Sequence, residues 1–131
     1  MTSPTSEVET DTLIREFFHA WERNDSDYIL SCFTDDAIYH NMPLEPLVGK
    51  EAIRQFIFQY ADSTPGIFEI LHQVVSGDLV MNERLDRVEI NGLQTDLPVC
   101  GVFEIQDRKI KAWRDYFDLA SVSSSRNQSD G

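Results

Sequence analysis

Positive charge is scarce in this chain. Against 23 acidic side chains it carries only 11 basic ones, a formal net charge of -12 over 131 residues. Nucleic acid and anionic membranes both need a basic footprint, so neither is expected as a partner. The excess negative charge favours solubility. Cysteine is nearly missing: Cys32 and Cys100 both sit in apolar contexts and form no metal or disulfide pattern. That points to a reducing compartment, and the cytoplasm is the expected location. No apolar run reaches the length of a membrane span or of a secretory signal. The three histidines, His19, His40 and His72, share no ligand spacing, so no zinc or other metal is expected. No Gly-rich phosphate loop occurs, and no Ser or Cys sits in a nucleophile elbow or beside a paired His. No cofactor is expected, which leaves reactions that protons and water can run alone.

What the chain does have is enough apolar material for a core: 41% apolar residues, including eight Phe, four Tyr and two Trp. The length predicts a single domain, residues 1–131, burying roughly 65–70% of the surface of its unfolded chain. Its ordered core is expected over about 10–120, between flexible tails 1–9 and 121–131. Leu13, Ile14, Phe17, Phe18 and Trp21 recur at helical spacing from about Thr10 to Arg23, with Asn24 as the stop. Asp25 or Ser26 caps a second short helix carrying Tyr28, Ile29, Cys32 and Phe33. Asp35-Asp36 reads as a solvated turn rather than as a carboxylate pair for metal or acid–base work, and Ala37 to Met42 as a short strand ending at Pro43. A third helix from about Gly49 to Ala61 carries Ile53, Phe56, Ile57 and Tyr60 on one stripe. After Pro65-Gly66 only strand signals remain, over Ile67–Val75, Leu79–Ile90, Thr95–Gln106 and Lys109–Leu119. Turns at Ser76-Gly77-Asp78, Asn91-Gly92 and Asp107-Arg108 separate them. Helices gathered ahead of a strand meander imply an α+β fold, a curved mixed or antiparallel sheet with the helices on its concave face, enclosing a cone-like pocket.

Alternate residues of a strand share a face. Val80, Asn82, Arg84, Asp86, Val88 and Ile90 therefore lie together, an arginine and an aspartate within a largely apolar row. On this segment alone an outward salt bridge is an equal reading. The last strand shifts the balance, because Trp113, Asp115, Phe117 and Leu119 place one carboxylate among aromatics and a leucine. Its other face, Arg114, Tyr116 and Asp118, reads as a surface row with an internal ion pair. Between the two acidic strands runs the uncharged row Leu97, Val99, Gly101, Phe103 and Ile105. If these rows turn inward, Arg84, Asp86 and Asp115 converge over an apolar floor, and Tyr39 and Asn41 add a hydroxyl and an amide from one more strand face. Two carboxylates sharing an arginine in a dry pocket form a proton-transfer device. One is held ionised as a base and the other keeps a proton, while Tyr39 and Asn41 hold a water. The plainer alternative is a buried Arg–Asp network that only fixes sheet geometry. The sheet's other face carries Leu85, Cys100, Val102 and Tyr116, and is expected to pair with a second copy as a homodimer.

Four short motifs, Tyr39-His-Asn41-Met-Pro43, Glu83-Arg84-Leu-Asp86, Gly101-Val-Phe103 and Trp113-Arg-Asp115-Tyr-Phe-Asp118, stand in an order and spacing that resemble the limonene-1,2-epoxide hydrolases. The resemblance covers roughly residues 10 to 120. It implies the cone-like fold shared with nuclear transport factor 2 and ketosteroid isomerase, and a dimer. It also implies Asp115 as the base that activates water, Tyr39 and Asn41 as holders of that water, Asp86 as the acid on the epoxide oxygen, and Arg84 as the bridge between the carboxylates. The hairpin around Asn91-Gly92 is shorter than in that family and the pocket-lining helices differ, so the resemblance does not carry limonene oxide as substrate, or its regio- and stereochemistry, over to this chain.

The expected function is therefore a cofactor-independent epoxide hydrolase, adding water to a compact apolar epoxide to give a vicinal diol in one concerted acid/base step. Val88, Leu97, Val99 and Phe117, apolar neighbours of the charged groups on the same faces, are the expected substrate-binding residues. Two rivals remain: an isomerase or cyclase on the same fold, which needs a base and an oxyanion hole but no arginine between two carboxylates, and a non-catalytic small-molecule-binding module.

Overall fold

Ser6 starts the first helix by accepting the Glu9 N–H at 3.1 Å, so that α1 spans Glu7–Glu22, with Glu7 and Glu9 in its first turn. Carboxylates there oppose the positive end of the helix dipole. The capping serine moves the start of the helix back into the stretch 1–9 that composition assigns to a flexible tail. A computed structural model describes residues 6–90 and 92–120; residues 1–5 and 121–131 of the expected tails, and Asn91 of the expected turn, lie outside them. Asn24 ends α1 in the left-handed region at φ 57°, and the Asp25 side chain caps α2 (Ser26–Ser31) by accepting the Tyr28 N–H.

Four expectations are corrected after that point. Helix α2 stops at Ser31, and Phe33, expected on its apolar stripe, instead opens strand β1 (Phe33–Asn41) opposite Ile110. Asp35-Asp36 is no turn. Both residues lie exposed within β1, where five residues from Phe33 to Ile38 advance while the partner strand advances two, from Ile110 to Ala112. That bulge gives the two carboxylates a solvated place inside a strand. A two-residue strand β2 (Leu47–Val48), which no sequence signal announced, pairs with β1 before α3 (Lys50–Ala61). The remaining strands are β3 (Ile67–Ser76), β4 (Leu79–Ile90), β5 (Leu93–Gln106) and β6 (Lys109–Tyr116). Strand β6 ends before Phe117, and Arg114 pairs with Glu104 on β5 rather than within its own row.

The six strands form one mixed sheet in the order β2-β1-β6-β5-β4-β3. Every neighbouring pair is antiparallel except β1 and β6, which run parallel. Helices α1 and α3 lie across the concave face, against β3 and β1 respectively. The core is aromatic, with Trp113 surrounded by Phe17, Phe18, Trp21, Phe33, Tyr39 and Phe103 at centroid distances of 4.0 to 6.4 Å. Such contacts add about 0.5–1.5 kcal/mol per pair beyond burial. Two polar contacts tie the entry of β3 to the helices: Glu22 accepts the Phe68 N–H at 2.8 Å and the Tyr60 hydroxyl accepts the Gly66 N–H at 2.7 Å. No helix among the described residues is long and apolar enough to cross a membrane.

Candidate active site

Alternation along β4 places Val80, Asn82, Arg84 and Asp86 on the buried face, each between exposed or half-buried neighbours. Strand pairing then lines up the polar groups. Gln73 on β3 lies opposite Asn82, Asn82 opposite Gly101 on β5, Gly101 opposite Asp115 on β6, and Asp115 opposite Asn41 on β1. One row across five strands thus carries an amide, an amide, a glycine, a carboxylate and an amide. The adjoining row brings Phe103, Trp113 and Tyr39 together, and the Tyr39 ring stacks on Trp113 at 4.0 Å and 10°.

Arg84 is 1% exposed, and all five of its N–H donors are used. Nε and Nη2 donate to the two oxygens of Asp86, each at 3.0 Å. Nη1 and Nη2 donate to Asp115 Oδ1 and Oδ2 at 3.2 and 2.8 Å, and Nη1 also donates to Asn82 Oδ1 at 2.9 Å. Trp113 Nε1 adds a 2.7 Å bond to Asp115 Oδ1. The Phe18 ring covers the guanidinium from the helix side, its centroid 4.5 Å from Cζ. On the sheet side Gly101 makes the room, since a Cβ there would collide with Arg84 Nη1, Asp115 Oδ1 and Asn82 Oδ1.

Burial raises the Asp86 carboxyl above its ordinary value; Arg84 opposes that shift and Asp115 adds to it. Burial alone would weaken the Arg84 charge, but Asp115 and Asp86 reverse this and hold the guanidinium firmly protonated. Burial, and then the Asp115 charge, also push the Tyr39 phenol up, so it stays a neutral hydroxyl. That hydroxyl donates to Asn41 Oδ1 at 3.2 Å.

Asp86, Asp115, Tyr39 and Asn41 face a cavity of about 370 Å³, and Arg84 is sealed behind the carboxylates. Val88, Leu97, Val99 and Phe117 all line it. Sequence reasoning missed the opposite wall, Trp21, Phe56 and Tyr60, because a helical apolar stripe looks the same whether it packs on core or on a void. It also missed Trp113 and Asn82 as partners of the charged groups, although strand parity places each two residues from one of them. The histidines stay away from the cavity: His40 Nε2 meets Leu44 O, His72 pairs with Glu83, and His19 is exposed. Among the described residues no group of three or more His, Cys, Asp or Glu is placed to hold a metal ion.

Residues 8–127 match a family model described as the limonene-1,2-epoxide hydrolase catalytic domain. Epoxide hydrolase EphG of Mycobacterium tuberculosis is 31% identical over 108 residues, spanning 81% of this chain and 71% of that protein. A solved M. tuberculosis LEH-like epoxide hydrolase superposes with a TM-score of 0.81 at 27% identity, covering 93% of this chain and 92% of the other. A SnoaL-like protein of Shewanella putrefaciens CN-32, described as a polyketide cyclase, gives a TM-score of 0.82 over 91% of this chain and 96% of its own. At 15% identity that likeness concerns the fold alone.

Proposed function

The chain belongs to the limonene-1,2-epoxide hydrolase family, and from that premise we propose that it adds water to a compact apolar epoxide, giving a vicinal diol without a cofactor. The observation that carries this reading is two buried carboxylates on one guanidinium, both facing a largely apolar cavity. One positive charge balances one negative charge in a dry site, so the second carboxyl keeps its proton. Asp86, raised by burial, suits the proton donor. Asp115, which accepts three N–H bonds, suits the base.

In this mechanism the water accepts from Asn41 Nδ2, donates one hydrogen to the Tyr39 oxygen and the other to Asp115, and keeps a lone pair for attack. As its oxygen bonds to an epoxide carbon, the bond from that carbon to the ring oxygen breaks, Asp115 takes the water proton, and Asp86 protonates the departing ring oxygen. Arg84 holds the pair neutral overall throughout. One proton then returns from Asp115 to Asp86 before the next turnover. A cavity of about 370 Å³ lies at the small end of ligand pockets, which suits a compact substrate.

We further propose a cytoplasmic homodimer. Cys32 and Cys100 are free thiols, and the outer sheet face presents Met81, Leu85, Cys100, Val102 and Tyr116 half-buried or exposed, a surface that suits a second copy.

The test is a panel of epoxides assayed with the wild type and with Asp115→Asn and Asp86→Asn. Each variant is expected to lose at least about two orders of magnitude, the usual worth of one positioned acid or base. Full activity in either folded variant removes that residue from the mechanism. A single turnover in oxygen-18 water, enzyme in excess, is expected to label the diol at once; label retained in an aspartate would mean a covalent intermediate instead.

A further inference from the structure

A chain of amides runs from the surface to the back of the guanidinium. Gln73 Nε2 donates to Asp11 Oδ1 at 2.8 Å and to the Asp11 carbonyl at 3.2 Å. Asn82 Nδ2 donates to Gln73 Oε1 at 3.0 Å, and Asn82 Oδ1 accepts from Arg84 Nη1 at 2.9 Å. Asp11 is half exposed on α1 and pairs with Arg15, whereas Asn82 is 2% exposed.

The two ends of this chain have opposite and fixed characters. The Asp11 carboxylate and carbonyl can only accept, and the guanidinium can only donate. An amide can present either its oxygen or its nitrogen, so the orientation of an isolated Asn82 is settled by its neighbours. With an acceptor-only group outside, Gln73 must turn its NH2 outward and its oxygen toward Asn82. Asn82 must then turn its NH2 to Gln73 and its oxygen to Arg84. One set of amide orientations satisfies both ends at once. An Asn82 turned the other way would set N–H against N–H at Nη1, the atom that also holds Asp115 Oδ1.

We propose that Asn82 and Gln73 are positioning residues for the water addition argued above, and that Asp11 on α1 sets the direction of the relay that holds Arg84 in place between Asp86 and Asp115. The proposal rests on that reading for its effect on rate, but the guanidinium order it asserts exists whether or not an epoxide is turned over. Neither amide touches the cavity, so the relay acts on Arg84 and leaves substrate contacts alone.

The experiment compares Gln73→Leu, which removes the acceptor Asn82 needs, with the exchange Gln73→Glu/Asp11→Asn, which keeps that acceptor and a hydrogen bond between positions 73 and 11. Steady-state hydrolysis is read together with the 15N-resolved guanidinium signals of Arg84 in the full-length protein. For Gln73→Leu we expect kcat to fall about tenfold with KM within about twofold, as for a group that acts on transition-state alignment, and the Arg84 Nη signals to broaden. For Gln73→Glu combined with Asp11→Asn, in which the outer amide now donates to the carboxylate at 73 and Asn82 keeps its acceptor, we expect kcat within about threefold of the wild type. Sharp, unshifted Arg84 signals in Gln73→Leu, or equal kcat losses in the two variants, would overturn the proposal. If the wild type hydrolyses no epoxide while Gln73→Leu still broadens the guanidinium signals, the positioning role stands and the proposed reaction falls. Should Gln73→Leu not fold, Gln73→Met, which also lacks the amide oxygen but keeps the length of the side chain, replaces it with the same expected and overturning outcomes.

Discussion

Gly101 lies beneath the guanidinium of Arg84, opposite Asp115 in the strand ladder, and its missing side chain is the space through which Arg84 reaches Asp115. Arg84 and Asp115 stand on strands separated by β5, so anything but glycine at the crossing would part them. The position calls for smallness. Its backbone is ordinary extended strand, absent from the glycines with positive φ.

Gly101→Ala is expected to destabilise the fold by about 1–3 kcal/mol, the usual cost of forcing an extra methyl into a packed site. Hydrolysis should fall further than stability explains, because the methyl meets Arg84, Asp115 and Asn82 together. Urea unfolding alongside activity at one temperature checks both. A variant with wild-type midpoint and rate would show that the guanidinium has room to move.

Arg84→Met leaves two buried carboxyls without their partner. Breaking a buried ion pair from one side costs about 3–5 kcal/mol, and the loss should shrink as pH falls and the carboxyls take up protons. Unfolding midpoints of this variant at neutral and acid pH make the test. A loss that does not change with pH would assign the effect to packing against Phe18 instead.

Asp86 gives the pH dependence its sign. Its carboxyl is raised from the ordinary 3.8 in the folded protein, so between the two values the folded state holds more protons than the unfolded one. Its contribution to stability is therefore full below the unfolded value and is lost as pH rises through the folded value. Hydrolysis should decline over the same rise, as the donor loses its proton. Stability profiles of the wild type and Asp86→Asn are expected to diverge in that window, and parallel profiles would mean that Asp86 titrates normally.

The cavity wall should govern which epoxide carbon is attacked. Enlarging or trimming Val88, Leu97, Val99 or Phe117, all cavity-lining, is expected to change substrate ranking or diol stereochemistry by about 1–3 kcal/mol of discrimination per methylene. Chiral analysis of the diols from a substrate panel reads this directly. Unaltered products in all four would put the reacting epoxide elsewhere in the cavity.

The amino-acid sequence by itself determined which side chains share a face. Side-chain direction in a strand has a period of two and needs no partner, so Asn82, Arg84 and Asp86 along β4, and Trp113 and Asp115 along β6, were legible as residues sharing one face. The helical stripes of α1 and α3 were legible for the same local reason. Only the tertiary structure decided which rows meet. The parallel pairing of β1 with β6 sets Tyr39 against Trp113 and Asn41 against Asp115, and nothing near residue 40 specifies a partner some seventy residues away. Phe33 shows the same limit from the other side. Its spacing continues the stripe of α2, yet it leaves the helix to pair with Ile110, because long-range pairing and burial override weak local propensity. The Asp11–Gln73 contact is likewise set by how α1 docks on β3, and helix docking depends on the assembled shape of the core rather than on any pattern along the chain.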